Sequence, residues 1–286
     1  MIQDQASRTA QYMAFFRALE TARPSDVRLF EDAFAKSFLS PRLKFISNLC
    51  TVRIINRLIW GWINYRWPGA LTSAIARTRF IDDEVKLELK SGARQVIILG
   101  AGYDTRPYRL KELAQVMVYE VDHPSTSSTK QNIMKSNQVR FVPVDFNSES
   151  LESKMNAACF DPTLRSLFIW EGVTNYITES AVDATLRWCS KASSGSVVIF
   201  TYIDERVLKS SENFYGIKAI RKALKKAGEE WTFGIDPSCI SDFLTERNLI
   251  LTKDVGAAEY RQIYFGRAAN RMRGYEFYRI AVARVK

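Results

Sequence analysis

The chain has 286 residues, 47% hydrophobic and 25% charged, with a formal net charge of +10. That length can bury the core of one large α/β domain or two small ones, and the composition excludes a fibrous or disordered chain. A single histidine, His123, and four scattered cysteines (Cys50, Cys159, Cys189, Cys239) without CxxC spacing weigh against serine-type triads, zinc sites and disulfide frameworks, so no metal is expected.

No apolar run reaches the roughly 18 residues of a membrane span. The start, MIQDQASRTAQ, lacks the layout of a signal peptide, and a cytoplasmic home is expected. Residues 1–90 read as helices without a good strand, a cap on the core that follows. Much of the positive charge falls between Ser40 and Ile81, where Arg and Lys recur and no acid appears. For segment 41–79 the plainest expectation is an amphipathic cap helix whose arginines reach into water. Two sharper alternatives are steering of an anionic acceptor and contact of RIINRLIWGWINYRW with an anionic membrane surface, the latter less favoured. Nucleic acid is not expected, because no reading motif accompanies the charge.

From Gln95 onward, apolar runs alternate with helical patterns. The expected strands are 95–100, 117–122, 139–145, 166–170, 196–203, 249–255 and 278–285. The first five lack strict alternation, as strands buried on both faces should. The expected helices are 106–114, 125–135, 149–157, 179–191 and 237–246, with Thr178 and Asp236-Pro237 as start signals. This order implies a mostly parallel sheet with helices on both faces. A basic amphipathic helix within residues 205–230 interrupts the alternation and is expected to lie over the sheet edge as a lid. The division is therefore a cap at 1–90 and a core at 91–286 with a lid insertion near 205–235.

Ligands of such sheets bind beyond the carboxyl ends of the strands. In QVIILGAGYDTRPYRL the turn after the first strand carries Gly100 and Gly102, but Thr105 stands where a dinucleotide fingerprint wants its third glycine. Asp104 before it is a poor neighbour for a diphosphate. The second strand ends YEVDHP, where Asp122 suits ribose hydroxyls. The third ends VPVDF, where Asp145 suits an adenine amino group and Phe146 its ring. The fourth ends FIWEGVTNY, placing Glu171 at the same edge. Acids without a phosphate-binding basic cluster suit a positively charged, phosphate-free nucleoside such as S-adenosylmethionine. Arg77 in IARTRF is the candidate for its carboxylate. A nicotinamide-dependent oxidoreductase and a non-catalytic nucleoside-binding protein remain as alternatives.

The stretches ARTRFIDDEV, VIILGAGYDTRPYRL, YEVDHPSTSSTKQ, FVPVDF and SLFIWEGVTNYITESAV resemble the leucine carboxyl methyltransferase family, in particular its bacterial small-molecule branch; WTFGIDP and YRIAVARV add to the match. The resemblance covers roughly residues 75–286 and is loose before that, at FEDAFAKSFL. It implies a class I methyltransferase fold, Rossmann-like, with a seven-stranded sheet whose last strand is antiparallel, and S-adenosylmethionine as cofactor. It assigns Arg77 to the methionine carboxylate, Gly100 and Glu171 to the methionyl part, Asp122 to the ribose, and Asp145 and Phe146 to the adenine. Lys36 is a further carboxylate candidate.

A carboxylate acceptor is ionised at neutral pH and needs no general base, which fits a chain with one histidine. Tyr176, Tyr202 and Glu171 are the side chains that could otherwise serve. The expected acceptor is a small-molecule acid, polyketide-like or another secondary metabolite, free or on a carrier protein. The family's protein-directed members make a protein C-terminus the alternative. Aromatic residues of the cap and lid (Phe15, Phe16, Phe30, Trp60, Trp62, Tyr65, Trp67, Phe214, Tyr215) are candidates for an apolar acceptor pocket.

Overall fold

A computed structural model describes residues 8–136, 138–146, 148–209 and 214–286. Residues 210–213 of the expected lid lie outside the described residues. The helical region comprises α1 (Arg8–Thr21), α2 (Pro41–Leu49), α3 (Arg53–Arg66) and α4 (Ala70–Lys90). There follow β1 (Gln95–Leu99), α5 (Arg106–Arg109), β2 (Met117–Asp122), α6 (Pro124–Ile133), β3 (Val139–Pro143), α7 (Leu151–Ala157), β4 (Ser166–Trp170), α8 (Glu179–Cys189) and β5 (Val197–Ile203). The lid helices are α9 (Arg206–Lys209) and α10 (Ile217–Ala227). The chain ends with α11 (Ile240–Thr245), β6 (Leu249–Gly256), α12 (Ala257–Phe265) and β7 (Tyr278–Val285).

The sheet order is β3-β2-β1-β4-β5-β7-β6, parallel except for β7, which runs antiparallel to both neighbours. Alternate residues of each central strand serve opposite cores, as a two-residue period dictates. Ile97, Leu99, Phe168, Trp170, Val198 and Phe200 face a core shared with α7, α8 and α11. Val96, Ile98, Leu167, Ile169, Val197 and Ile199 face one closed by α4 and α12. Two further clusters sit above the strand ends. The cap core joins Phe15, Phe16, Leu19, Phe38, Ile63, Leu71 and Ile75 to Tyr103 of the glycine turn. The lid core joins Ile217 and Ile220 to Ile203, Phe277 and Tyr278.

Helix α4 belongs to both layers, with Leu71, Ala74 and Ile75 in the cap core and Ala76, Phe80, Ile81 and Val85 in the sheet core. It carries Arg77 from one into the other. Its start is fixed by a close backbone approach. Gly69 has φ +80°, and a Cβ there would lie 2.3 Å from the Gly274 carbonyl oxygen; a Cβ on Gly274, φ +94°, would lie 2.2 Å from that of Pro68.

Strand bounds differ from expectation by two residues at most, while the helix starts were less legible. Thr178 caps α8, accepting from Ala181 N–H. Asp236 instead caps the turn, accepting from Ser238, and α11 begins only at Ile240. Helix α12 had no counterpart in the expected elements. Gly256 followed by Glu259, whose carboxylate accepts the Gly256 N–H, was its available start signal.

The Gly69/Gly274 approach sets an expected outcome. Gly274→Ala should lower the free energy of unfolding by about 2 kcal/mol or more, through left-handed strain and backbone overlap together. Urea denaturation checks it, and a midpoint shift no larger than for Gly228→Ala, where a Cβ would meet nothing within 4 Å, would contradict it.

Candidate functional site

The sheet reverses its strand order between β1 and β4, where doubly wound sheets open a crevice. A cavity of about 1120 Å³ lies there, floored by the ends of β1, β2 and β4 and walled by cap and lid. Gly100, at φ +63°, sits at the switch point; a Cβ there would lie 2.2 Å from Val173 Cγ2, so only glycine lets the two loops touch.

Arg77, Gly100, Gly102, Asp122, Asp145, Phe146, Glu171 and Tyr176 all line this cavity. Asp122 Oδ2 accepts from the Gly102 N–H, and its Oδ1 accepts from His123 N–H at 2.6 Å. Burial raises its carboxyl above the ordinary value, against those two backbone donors. The Asp145 carboxylate accepts from Ser148 Oγ at 2.9 Å. His123 caps α6, its Nδ1 2.8 Å from Ser125 Oγ. Tyr202 and Lys36 are placed elsewhere: the Tyr202 hydroxyl donates to Asp254 Oδ1 at 2.9 Å, and Lys36 Nζ donates to Asn48 at 3.0 Å. Neither is among the residues that line the cavity. Of the aromatics considered for an acceptor pocket, Phe16 and Trp67 line it, and Met13, Trp231, Tyr275 and Tyr278 join them.

An ionic web that the sequence reading had not foreseen organises the site. Arg77 Nε donates to Glu171 Oε1 at 2.7 Å, and its guanidinium lies 4.7 Å from the centre of the Tyr278 ring. Glu171 Oε2 is 2.9 Å from Arg106 Nη2. Arg106 also donates to Asp82 Oδ1 at 2.8 Å and Asp104 Oδ2 at 2.5 Å, while Arg109 forks onto both oxygens of Asp82. From the cap, Asp32 accepts from Arg17 Nε at 2.8 Å and Thr105 Oγ1 at 2.6 Å, and Arg17 Nη2 reaches the Tyr103 carbonyl at 2.5 Å. Burial pushes the carboxyl of Glu171 up, but Arg106 and Arg77 outweigh it and hold it below the usual range. The same contest, decided chiefly by Arg106, holds Asp104 at about 2. The alternating D-T-R-x-x-R of the glycine turn was the signal available for this web. Its partners Asp32 and Asp82 come from far upstream and carry no such mark.

The residues present suit a phosphate-free, positively charged nucleoside. In a diphosphate site the amides of the first turn would face the ligand, whereas here the Gly102 amide is taken by Asp122. The nearby guanidinium groups of Arg17, Arg106 and Arg109 are already bound to carboxylates. Asp122 retains lone pairs for hydroxyl donors, Asp145 and Phe146 line the same cavity beside it, and Arg77 with Glu171 presents both charges there.

Three outcomes are expected. Asp122→Ala should weaken S-adenosylhomocysteine at least about tenfold by calorimetry with the melting temperature retained; unchanged affinity removes Asp122 from the site. Arg106→Lys, which cannot fork onto three carboxylates, should cost about 3 kcal/mol of stability by urea denaturation, and a loss within error would deny the web its structural role. Because Asp104 is depressed from 3.8 to about 2, its contribution is present above pH 4 and lost as pH falls through about 2. The stability gap between wild type and Asp104→Asn should therefore close over that window. Glu120, raised to about 7 by burial beside Lys130, acts in the opposite sense between its ordinary value of 4.5 and about 7 and is common to both proteins.

YktD of Bacillus subtilis, whose name marks it as an inferred S-adenosyl-L-methionine-dependent methyltransferase, is 24% identical over 297 residues, spanning 96% of this chain and 97% of its own. A protein of Mycolicibacterium gilvum with the same description is 30% identical over 241 residues, 81% of this chain and 75% of its own. Among solved structures, a DUF574-family protein of Streptomyces avermitilis matches over 100% of both chains with TM-score 0.62 and 15% identity. An S-adenosylmethionine-dependent methyltransferase from Mesorhizobium loti matches 69% of this chain and 96% of its own with TM-score 0.51 and 11% identity. These likenesses establish the class I methyltransferase fold. A profile of the family described as leucine carboxyl methyltransferase matches residues 10–190, and the chain belongs to that family.

Proposed function

We propose that this S-adenosylmethionine-dependent methyltransferase esterifies the carboxylate of a small organic acid. When bound, S-adenosylmethionine supplies an electrophilic methyl group on a positively charged sulfur. Arg77 and Glu171 would orient its amino-acid end, Asp122 its ribose, and Asp145 and Phe146 its adenine.

The observation that supports a carboxylate acceptor is that the ionisable side chains at the strand ends are engaged or shifted away from base duty. Glu171 is held between two arginines and His123 is tied to Ser125. Burial pushes the phenols of Tyr176, Tyr275 and Tyr278 up. An alcohol or phenol acceptor would want a base, whereas a carboxylate arrives ionised. What the protein must supply is alignment and exclusion of water, worth several powers of ten in effective molarity. The side chains of Met13, Phe16, Trp67 and Trp231 would shelter the body of the acid, and Lys222, Lys225 and Lys226 on the cavity rim would draw in its charge. The volume exceeds that of a typical single-ligand pocket of roughly 300–1,000 Å³, consistent with donor and acceptor together.

Labelled S-adenosylmethionine incubated with host extract tests this. The expected product is a small molecule that releases its label in mild base, and turnover that is flat between about pH 6 and 9, well above a carboxyl pKa. Base-stable label, or a rate rising toward the phenol range, would contradict it. Base-labile label on a protein would make the acceptor a protein carboxylate instead, at a C-terminus if carboxypeptidase resistance shows the end blocked.

A further inference from the structure

We propose that the outer face of α2 and α3 docks the protein on an anionic lipid surface, beside the mouth of the cavity. Helix α3 turns Asn56 and Ile63 inward to the cap. Its outward stripe is Ile54, Leu58, Trp62 and Tyr65, exposed to 67%, 67%, 57% and 86%, at the spacing of a single helix face. On α2, Phe45 and Leu49 stand one turn apart and are exposed to 64% and 41%. An ordinary surface helix turns its polar side to water; a run of large apolar side chains facing out marks a contact surface.

Charge identifies what it contacts. Arg42, Lys44, Arg53 and Arg57 are interspersed with these side chains, and none has a carboxylate partner among the described residues. No acid occurs between Asp32 and Asp82. A second copy is disfavoured, because a two-fold contact matches a patch to itself and would set positive charge on positive charge. The occupant is therefore negative. Apolar residues with Trp and Tyr among them, flanked by arginine, are the chemistry of a helix lying at a headgroup boundary. No helix among the described residues is long and apolar enough to cross a membrane, so the contact would be peripheral. Arg66 and Trp67, at the end of α3, also line the cavity, so docking would bring its mouth to the surface.

Sedimentation of the full chain with vesicles tests this independently of the chemistry at the cavity. Binding to phosphatidylcholine vesicles containing phosphatidylglycerol is expected at low salt, at least about tenfold weaker on phosphatidylcholine alone and in high salt. The double variants Ile54→Asp/Leu58→Asp and Arg53→Glu/Arg57→Glu should each lose about tenfold, with melting temperature and S-adenosylhomocysteine affinity unchanged. Absence of binding to the anionic vesicles, or full binding by either variant, would overturn the proposal. So would polyglutamate bound as tightly as the vesicles, which assigns the face to an acidic protein. A dimer by light scattering that Ile54→Asp/Leu58→Asp dissociates would assign it to a second copy.

Discussion

Arg106 is the residue on which the site depends. It is buried, and three carboxylates from three parts of the chain meet it: Asp82 on α4, Asp104 in the glycine turn and Glu171 beyond β4. A buried charge costs several kcal/mol unless neighbours replace its water, so these segments can fold only in one mutual arrangement. Arg77 extends the web to Tyr278 on β7, and Arg109 shares Asp82 with Arg106. Arg17 and Asp32 bind the cap to the same turn. The cap is thus joined through polar contacts to the loop that shapes the ligand cavity, as well as through its own apolar core.

This arrangement explains why arginines near the strand ends do not make a phosphate site. Each guanidinium is already matched by a carboxylate, and the Gly102 amide is spent on Asp122. What remains is a rim with oxygen acceptors along β2 to β4 and a balanced Arg77–Glu171 pair at the centre. At the strand ends such a rim would favour a zwitterionic group attached to a nucleoside over a diphosphate. Across the mouth, Thr9 of α1 donates to Glu229 after the lid helix, so cap and lid meet over the cavity.

Much of this was legible in the sequence, for a physical reason. Strands buried on both faces cannot hide, because runs such as QVIIL and SLFIW have no polar side. The turn at their carboxyl ends must hold whatever binds, so Asp122, Asp145 and Glu171 could be placed from strand order alone, and the cavity does bring them together with Arg77 and Gly100. Tyr202 illustrates the limit. It lies on β5 with its hydroxyl committed to Asp254 of β6, and a side-chain contact between strands distant in sequence leaves no local trace. Asp32, Asp82 and Arg17 escaped notice for the same reason. Helix α12 was missed because its inward face, Ala257, Tyr260 and Arg261, is not an apolar stripe; Tyr260 is held by Ser73 and Arg261 by the Gly274 carbonyl.

The claim that a balanced, phosphate-free rim holds the nucleoside and amino-acid ends of the cofactor is tested most directly by a crystal structure of the protein soaked with S-adenosylhomocysteine. The account predicts ribose hydroxyls on Asp122, the adenine beside Phe146 and Asp145, and the amino-acid end between Arg77 and Glu171. A nucleoside lying away from Asp122 and Asp145, or a soaked dinucleotide seated with its diphosphate over Gly102, would contradict it.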